Sequence, residues 1–162
     1  MVVPATMPVL PDPDRTLWST QRSRAYDAGN VPTAPLGVLR IPSINLAVPI
    51  YEGTDDSTLD RGAGHIESTA QLDEQGNIGI AAHRDGFFRA LKDIDVGTEL
   101  TLQTPRGDRR YRVTRLSVTD PTDVSVIGRT PTDAVTLVTC YPFYFVGSAP
   151  QRFIVRAEAI AP

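Results

Sequence analysis

A thiol, an imidazole and a guanidinium make a sufficient set for acyl transfer: a nucleophile, a general acid for the leaving amine, and a fixed charge for the oxyanion. The sequence offers one of each at the end of a strand-like run. Cys140, the only cysteine in 162 residues, closes TLVTC within TLVTCYPF. His83 closes NIGIAAH and is followed at once by Arg84, Asp85 and Gly86. Arg152 opens QRFIVRAEAI directly after the turn-rich GSAP. A thiol is a weak nucleophile until it is deprotonated. With ordinary pKa values of about 8.5 for Cys and 6.5 for His, thiolate paired with imidazolium is only ~1% of the neutral pair. A fixed cation beside the sulfur raises that fraction, roughly tenfold for each unit by which it narrows the gap. No metal is required.

Each residue also has a plainer reading. Free Cys is among the most buried residue types, so Cys140 could simply pack a core. His83 could cap a helix or sit on the surface, and Arg152 could be an ordinary surface cation. Alternation in VTLVTC puts Val135, Leu137 and Thr139 on one face and Thr136, Val138 and Cys140 on the other. The thiol therefore falls at the last position of a strand, where a side chain leaves the core and meets a cleft. A histidine at a strand end beside polar loop residues is likewise placed to titrate. Spacing alone does not bring the three together; their meeting is a tertiary question.

The elements that must position them are short. Residues 1–14 carry four prolines and read as a flexible linker. Residues 15–29 predict one amphipathic helix, with Leu17, Trp18, Gln21, Ala25 and Tyr26 as its stripe and Gly29-Asn30 as its stop, packing on the outside of the main fold. From Leu36 onward GVLRI, LAVPI, NIGIAAH, TELTLQT, RRYRVTRLSV, AVTLVTC and QRFIVRAEAI alternate or run β-branched. A short helix is expected at FFRALKDI after His83, and another turn or two at DDSTLDRG. Seven or eight short strands with few helices predict an all-β barrel or sandwich over residues 36–162.

Composition narrows the function classes. Hydrophobic residues make up 41% and charged residues 22%, as in an ordinary globular domain. The net charge of -3 argues against a nucleic-acid partner. Arg106, Arg109, Arg110, Arg112 and Arg115 do cluster, but they alternate with Tyr111 and Val113 and read as a solvated strand face. Cys140, His65 and His83 lack the paired spacing of a structural zinc site. No apolar stretch approaches the ~18 residues of a membrane span. Asp55, Asp56, Asp60, Glu67, Asp73 and Glu74 lack the spacing of a calcium-binding loop and read as loop charge, which leaves calcium open.

With those residues in view, the chain resembles the sortases, bacterial cysteine transpeptidases, and within them class D. TLVTCYPF matches the family's TLxTC block, and FVGSAPQRFIV holds the matching Arg152. GNIGIAAHRDGFFRALKDI resembles the histidine block, while GVLRIPSINLAVPI and GAGHI look like the opening strands. The likeness runs from Leu36 to Ile160 in the family's order. It implies a closed eight-stranded β-barrel with short helices. It also implies Cys140 as nucleophile on the threonine carbonyl of a Leu-Pro-X-Thr-Gly or Leu-Pro-X-Thr-Ala sorting signal, with His83 as general acid and base. Arg152 would hold substrate carbonyls and the oxyanion, and Thr139 would help line the oxyanion region. His65, in the GHI segment, reads as structural. Where relatives commonly carry Gly before the His and Thr after Arg-Asp, this chain has Ala82 and Gly86.

The resemblance further implies no cofactor and a monomer. Its partners would be surface proteins bearing the signal and an amine acceptor, such as a cell-wall precursor or a partner protein. The chain would act on the extracytoplasmic side of the envelope as an ectodomain, with any membrane contact made through an anchor absent from it. Rival readings are an L,D-transpeptidase, a papain-like protease, and a β-barrel interaction module or inactive relative with a buried Cys. The first typically places Ser-His-Gly before its Cys, where this chain has Leu-Val-Thr. The second needs its Cys at the start of a long helix.

Overall fold

The computed structural model describes residues 15–16, 18–28, 34–83, 86–141 and 150–160. The expected linker, 1–14, lies outside these residues, as does segment 142–149 between the last two strands.

The first element is helix α1, Thr20–Ala28. It starts later than the apolar stripe predicts, because Ser19 acts as its N-cap. The Ser19 hydroxyl accepts the backbone N–H of Arg22 at 3.1 Å, and a serine so placed marks the helix boundary. Trp18 turns back edge-on to Tyr26, with ring centroids 5.5 Å apart. Arg22 and Arg61 stack on Trp18 and Tyr26, at 4.0 and 4.4 Å from the ring centres. Arg22 braces Trp18 at the helix's own N-terminal end, while Arg61, from outside the helix, ties it to the rest of the fold by a cation over an aromatic face.

Eight strands follow: β1 Gly37–Ile41, β2 Leu46–Glu52, β3 Ala63–His65, β4 Asn77–Ala81, β5 Glu99–Thr104, β6 Gly107–Thr119, β7 Ala134–Tyr141 and β8 Gln151–Ala159. They close into a barrel in the order β1-β2-β3-β4-β7-β8-β6-β5. The pairs β2/β3 and β4/β7 are parallel and the rest antiparallel. The all-β barrel expectation holds, with the eighth strand supplied by the three residues of β3. Gly64 makes that strand possible: a Cβ there would clash with the carbonyl oxygen of Gly53. Only glycine lets the two backbones approach so closely.

Period-2 alternation builds the interior. Leu39, Ile41, Val48, Ile50, Ile78, Ile80, Leu100, Leu102, Leu137 and Val155 are all fully buried. Each such side chain contributes on the order of 1.5–3 kcal/mol relative to exposure. On β6, Tyr111 and Val113 point in while Arg110 and Arg112 point out to Glu99. Arg110 and Arg112 are thus the solvated strand face the alternation predicts, whereas Arg109 lies on the Tyr111 side, half-buried, and donates to the carbonyls of Leu72 and Glu74.

Two short helical pieces flank the site-bearing strands. Helix α2, Asp56–Arg61, lies between β2 and β3. A 3-10 helix, Phe87–Asp93, buries Phe88 and Leu91. A second 3-10 segment, Val124–Ile127, is held by buried polar groups. Asn77 donates to the carbonyls of Val126 and Gly128, and Arg156 donates to Val126 O and to the Thr136 hydroxyl. Thr136 in turn donates to Asn77 Oδ1 at 2.6 Å, which closes the network.

Candidate active site

The site is built by the neighbouring strands β4, β7 and β8. In the parallel pair, Ala81 faces Val138, and pairing continues as the Ala82 N–H donates to Val138 O at 3.2 Å. His83 and Cys140 each come two residues beyond that match. On the other side of β7, Cys140 is the direct antiparallel partner of Arg152. Directly opposed residues put their side chains on the same face, with Cβ atoms about 4.5–5.5 Å apart. Cys140 and Arg152 are therefore neighbours on one face, and carrying the β4/β7 register two residues past its last pair sets His83 on the other side of Cys140.

Alternation decides which way each points. Ile80 and Leu137 are fully buried, and Ala82 and Thr139 are 4% and 2% exposed. The positions between them, Ala81 with Val138 and His83 with Cys140, are half-buried and face outward. Cys140 is thus a free, half-buried thiol on the outer face and not a core residue. The Ala82 methyl lies inside the barrel, so it packs the core and does not narrow an outer groove.

Thr139 links the two strand ends. Its hydroxyl donates to the Ala82 carbonyl at 2.8 Å in a buried bond. The residue before Cys140 is thereby tied to the residue before His83. Arg152 is half-buried, and its Nη1 donates to the carbonyl of its own neighbour, Gln151, at 2.9 Å.

Two carboxylates face His83 that sequence reading took for loop charge. Its Nε2 lies 3.6 Å from Asp60 Oδ1 and 3.8 Å from Asp56 Oδ1. Asp56 is almost fully exposed, whereas the Asp60 side chain is only 12% exposed. The pair sits at i and i+4 of α2, a spacing that puts both on one helix face. That spacing was the available signal. The helix itself is fixed at its start by Asp55, whose carboxylate accepts the hydroxyls of Ser57 at 2.5 Å and Thr58 at 2.6 Å. Those bonds hold the Asp55 carboxyl below its usual range, the Ser57 hydroxyl first.

His65 takes no part in this arrangement. It is fully buried on β3, with Nδ1 2.9 Å from Glu52 and Nε2 2.8 Å from the Ala70 carbonyl oxygen. The structural reading of this residue stands. Among the described residues, no group of three or more His, Cys, Asp or Glu side chains is arranged to hold a metal ion.

A family model described as the Sortase domain matches residues 39–160. The chain belongs to the sortase family. It is 37% identical over 125 residues to Sortase D of Bacillus subtilis (strain 168), a match covering 76% of this chain and 63% of that protein. The chain thus spans less than two thirds of this relative's length. The barrel is similar to a solved Clostridium perfringens Sortase D5 transpeptidase, with a TM-score of 0.72 and 26% identity, covering 91% of this chain and 92% of that one. It is also similar to sortase C-1 from Streptococcus pneumoniae, with a TM-score of 0.73 and 28% identity, covering 90% and 78%. The sortase barrel inferred from TLVTC, the histidine block and the opening strands is the one observed.

Proposed function

We propose that this chain is a cysteine transpeptidase that cleaves a Leu-Pro-X-Thr-Gly or Leu-Pro-X-Thr-Ala signal after the threonine. The Cys140 thiolate attacks the threonine carbonyl, and a carbon–sulfur bond forms as the oxygen takes the negative charge. Arg152 stabilises that charge with its forked donors. The carbon–nitrogen bond then breaks, and His83, as imidazolium, gives its proton to the departing amine. In the second half an incoming amine loses a proton to His83, attacks the thioester and releases the thiolate. Thr139 borders the oxyanion region, with its side chain fixing the strand ends and not reaching the substrate. The acceptor is an amine of a cell-wall precursor or of a partner protein, and the substrates are surface proteins carrying the signal. The reaction takes place on the extracytoplasmic side of the envelope.

The observation that carries this reading is the register: Cys140 pairs directly with Arg152, and His83 follows by two residues the β4 position that pairs with Val138, itself two before Cys140. The Sortase D5 transpeptidase that the barrel resembles supports it. Incubation with a panel of Leu-Pro-X-Thr peptides, followed by mass spectrometry, tests it. A thioester adduct on Cys140 that an added amine discharges is the expected result. Cleavage that persists in Cys140→Ala would overturn the reading, as would a thiol that reacts with alkylating agents only after denaturation.

A further inference from the structure

Asp60 stands between two cations. The Arg22 Nε–H of α1 donates to Asp60 Oδ1 at 2.7 Å, and Arg22 Nη2 lies 2.7 Å from the same oxygen. That oxygen is also the one facing His83 Nε2 at 3.6 Å, too far for a hydrogen bond. Arg61, next in sequence, donates to the Tyr26 carbonyl at 2.8 Å, so α1 is anchored to α2 at two neighbouring residues. We propose that Asp60 is a positioning residue for His83, and that Arg22, by binding the same carboxylate oxygen, holds Asp60 back from the ring.

The physical case has three parts. A carboxylate within about 4 Å favours the imidazolium. The imidazolium is the form that pairs with thiolate and gives the proton to the leaving amine. A guanidinium on the same oxygen offsets that charge and fixes its direction, so docking of α1 damps what Asp60 offers His83. Burial makes Asp60 the stronger of the two carboxylates, since the exposed Asp56 is screened by water. The charged and titratable groups that face His83 include Asp56 and Asp60 on α2, with Arg22 on α1 behind Asp60, and the β4/β7 register brings Cys140 and its partner Arg152 to the other side.

The inference rests on His83 being the general acid, and its test separates the two. The chain has two histidines, so the ring C–H signals of His83 are assigned in an NMR titration by their loss in His83→Ala. Asp60→Asn should move the His83 midpoint to lower pH. It should also slow Cys140 alkylation by iodoacetamide near neutral pH by about three- to tenfold, a tenfold loss corresponding to one unit. Arg22→Gln should do the reverse, raising the midpoint and quickening alkylation, and Arg22→Lys should fall between. Together the two changes should behave as Asp60→Asn alone, because Arg22 acts only through Asp60. If Asp60→Asn fails to fold, the rise in Arg22→Gln decides by itself. An unmoved midpoint in Arg22→Gln, or an equal shift with and without Asp60, overturns the proposal. Full peptide turnover in His83→Ala would instead sink the catalytic reading, while the ring shifts would still report on Asp60.

Discussion

The hydroxyl of Thr139 donates to the carbonyl of Ala82 at 2.8 Å, and both residues are buried. One bond therefore joins the residue before the thiol to the residue before the imidazole. Beyond Ala82, β4 has left its ladder, and this side-chain bond takes over where backbone pairing stops. Thr139→Val keeps the shape but leaves a buried carbonyl unsatisfied, at a cost of about 1–3 kcal/mol in stability. The larger effect should be on activity, since a misplacement near 1 Å can cost about 100-fold. Thr139→Ser should recover most of both. Thermal melts and peptide turnover on the three proteins provide the check. Turnover in Thr139→Val equal to that of the unaltered chain would mean that the bond does not set the distance from His83 to Cys140.

Arg152 is the direct cross-strand partner of Cys140, so its side chain leaves the backbone beside the thiol on the same face. What the guanidinium adds to charge is a planar fork. Arg152→Lys should keep the fold but lose about 100-fold in kcat, the usual scale for one oxyanion donor. The loss should fall on kcat more than on KM, because the donor matters most when the oxyanion forms. A Lys variant with full kcat would take Arg152 out of the mechanism.

Much of this was legible in the chain before folding. Alternation in VTLVTC assigns Leu137 and Thr139 to one face and Cys140 to the other, and burial follows that division from Leu137 onward; Thr136, on the Cys140 face, is buried too, bonded to Asn77 and Arg156. The turn chemistry after His83 and before Arg152 marks both as strand ends. What periodicity does not contain is the pairing of β4 with β7. A parallel ladder joins residues far apart in sequence, and nothing local specifies its partner. Strand β3 is too short and too glycine-rich to show by alternation, and only the family resemblance marked GAGHI as a strand; its place depends on how closely Gly64 approaches Gly53. Asp60 was misread for a related reason. Its partners, Arg22 and His83, come from two other elements, and only the i, i+4 spacing with Asp56 hinted that α2 turns a carboxylate face toward the site.

Asp55 gives that helix a measurable acid limit. Its carboxyl is held below the usual range, chiefly by the Ser57 hydroxyl and then by Thr58. A depressed carboxylate contributes stability that is present above its ordinary value near 4 and is lost as pH falls through the lower folded value. Asp55→Asn should therefore be less stable than the unaltered chain at pH 6, and the difference should shrink below about pH 4. Asp55 is almost fully exposed, so the gap will be small and will narrow further with salt. Paired thermal melts across pH 2.5–6 measure it. A difference that stays constant to the lowest pH would assign the effect to helix propensity and not to the charge.

The buried network around Asn77 positions the loop between β6 and β7. Asn77 donates to Val126 O at 3.2 Å and Gly128 O at 2.9 Å, and accepts from Thr136; Arg156 reaches Val126 O at 2.8 Å from β8. Burial lowers the Arg156 pKa, a sign that the guanidinium has given up water for these carbonyl and hydroxyl oxygens. Removing one member leaves the others unpaired inside the protein, so Asn77→Ala should cost about 2–4 kcal/mol. Arg156→Met, which keeps the apolar stem, should cost less. The double variant should cost clearly less than the two single losses together, since both act on Val126. Amide exchange adds a local readout: the N–H of Gly128, bonded to Ser125 O at 3.1 Å, should lose protection in either variant before the strands do. Strictly additive losses, with Gly128 exchange unchanged, would mean the two side chains hold separate parts of the barrel and the loop is fixed by other contacts.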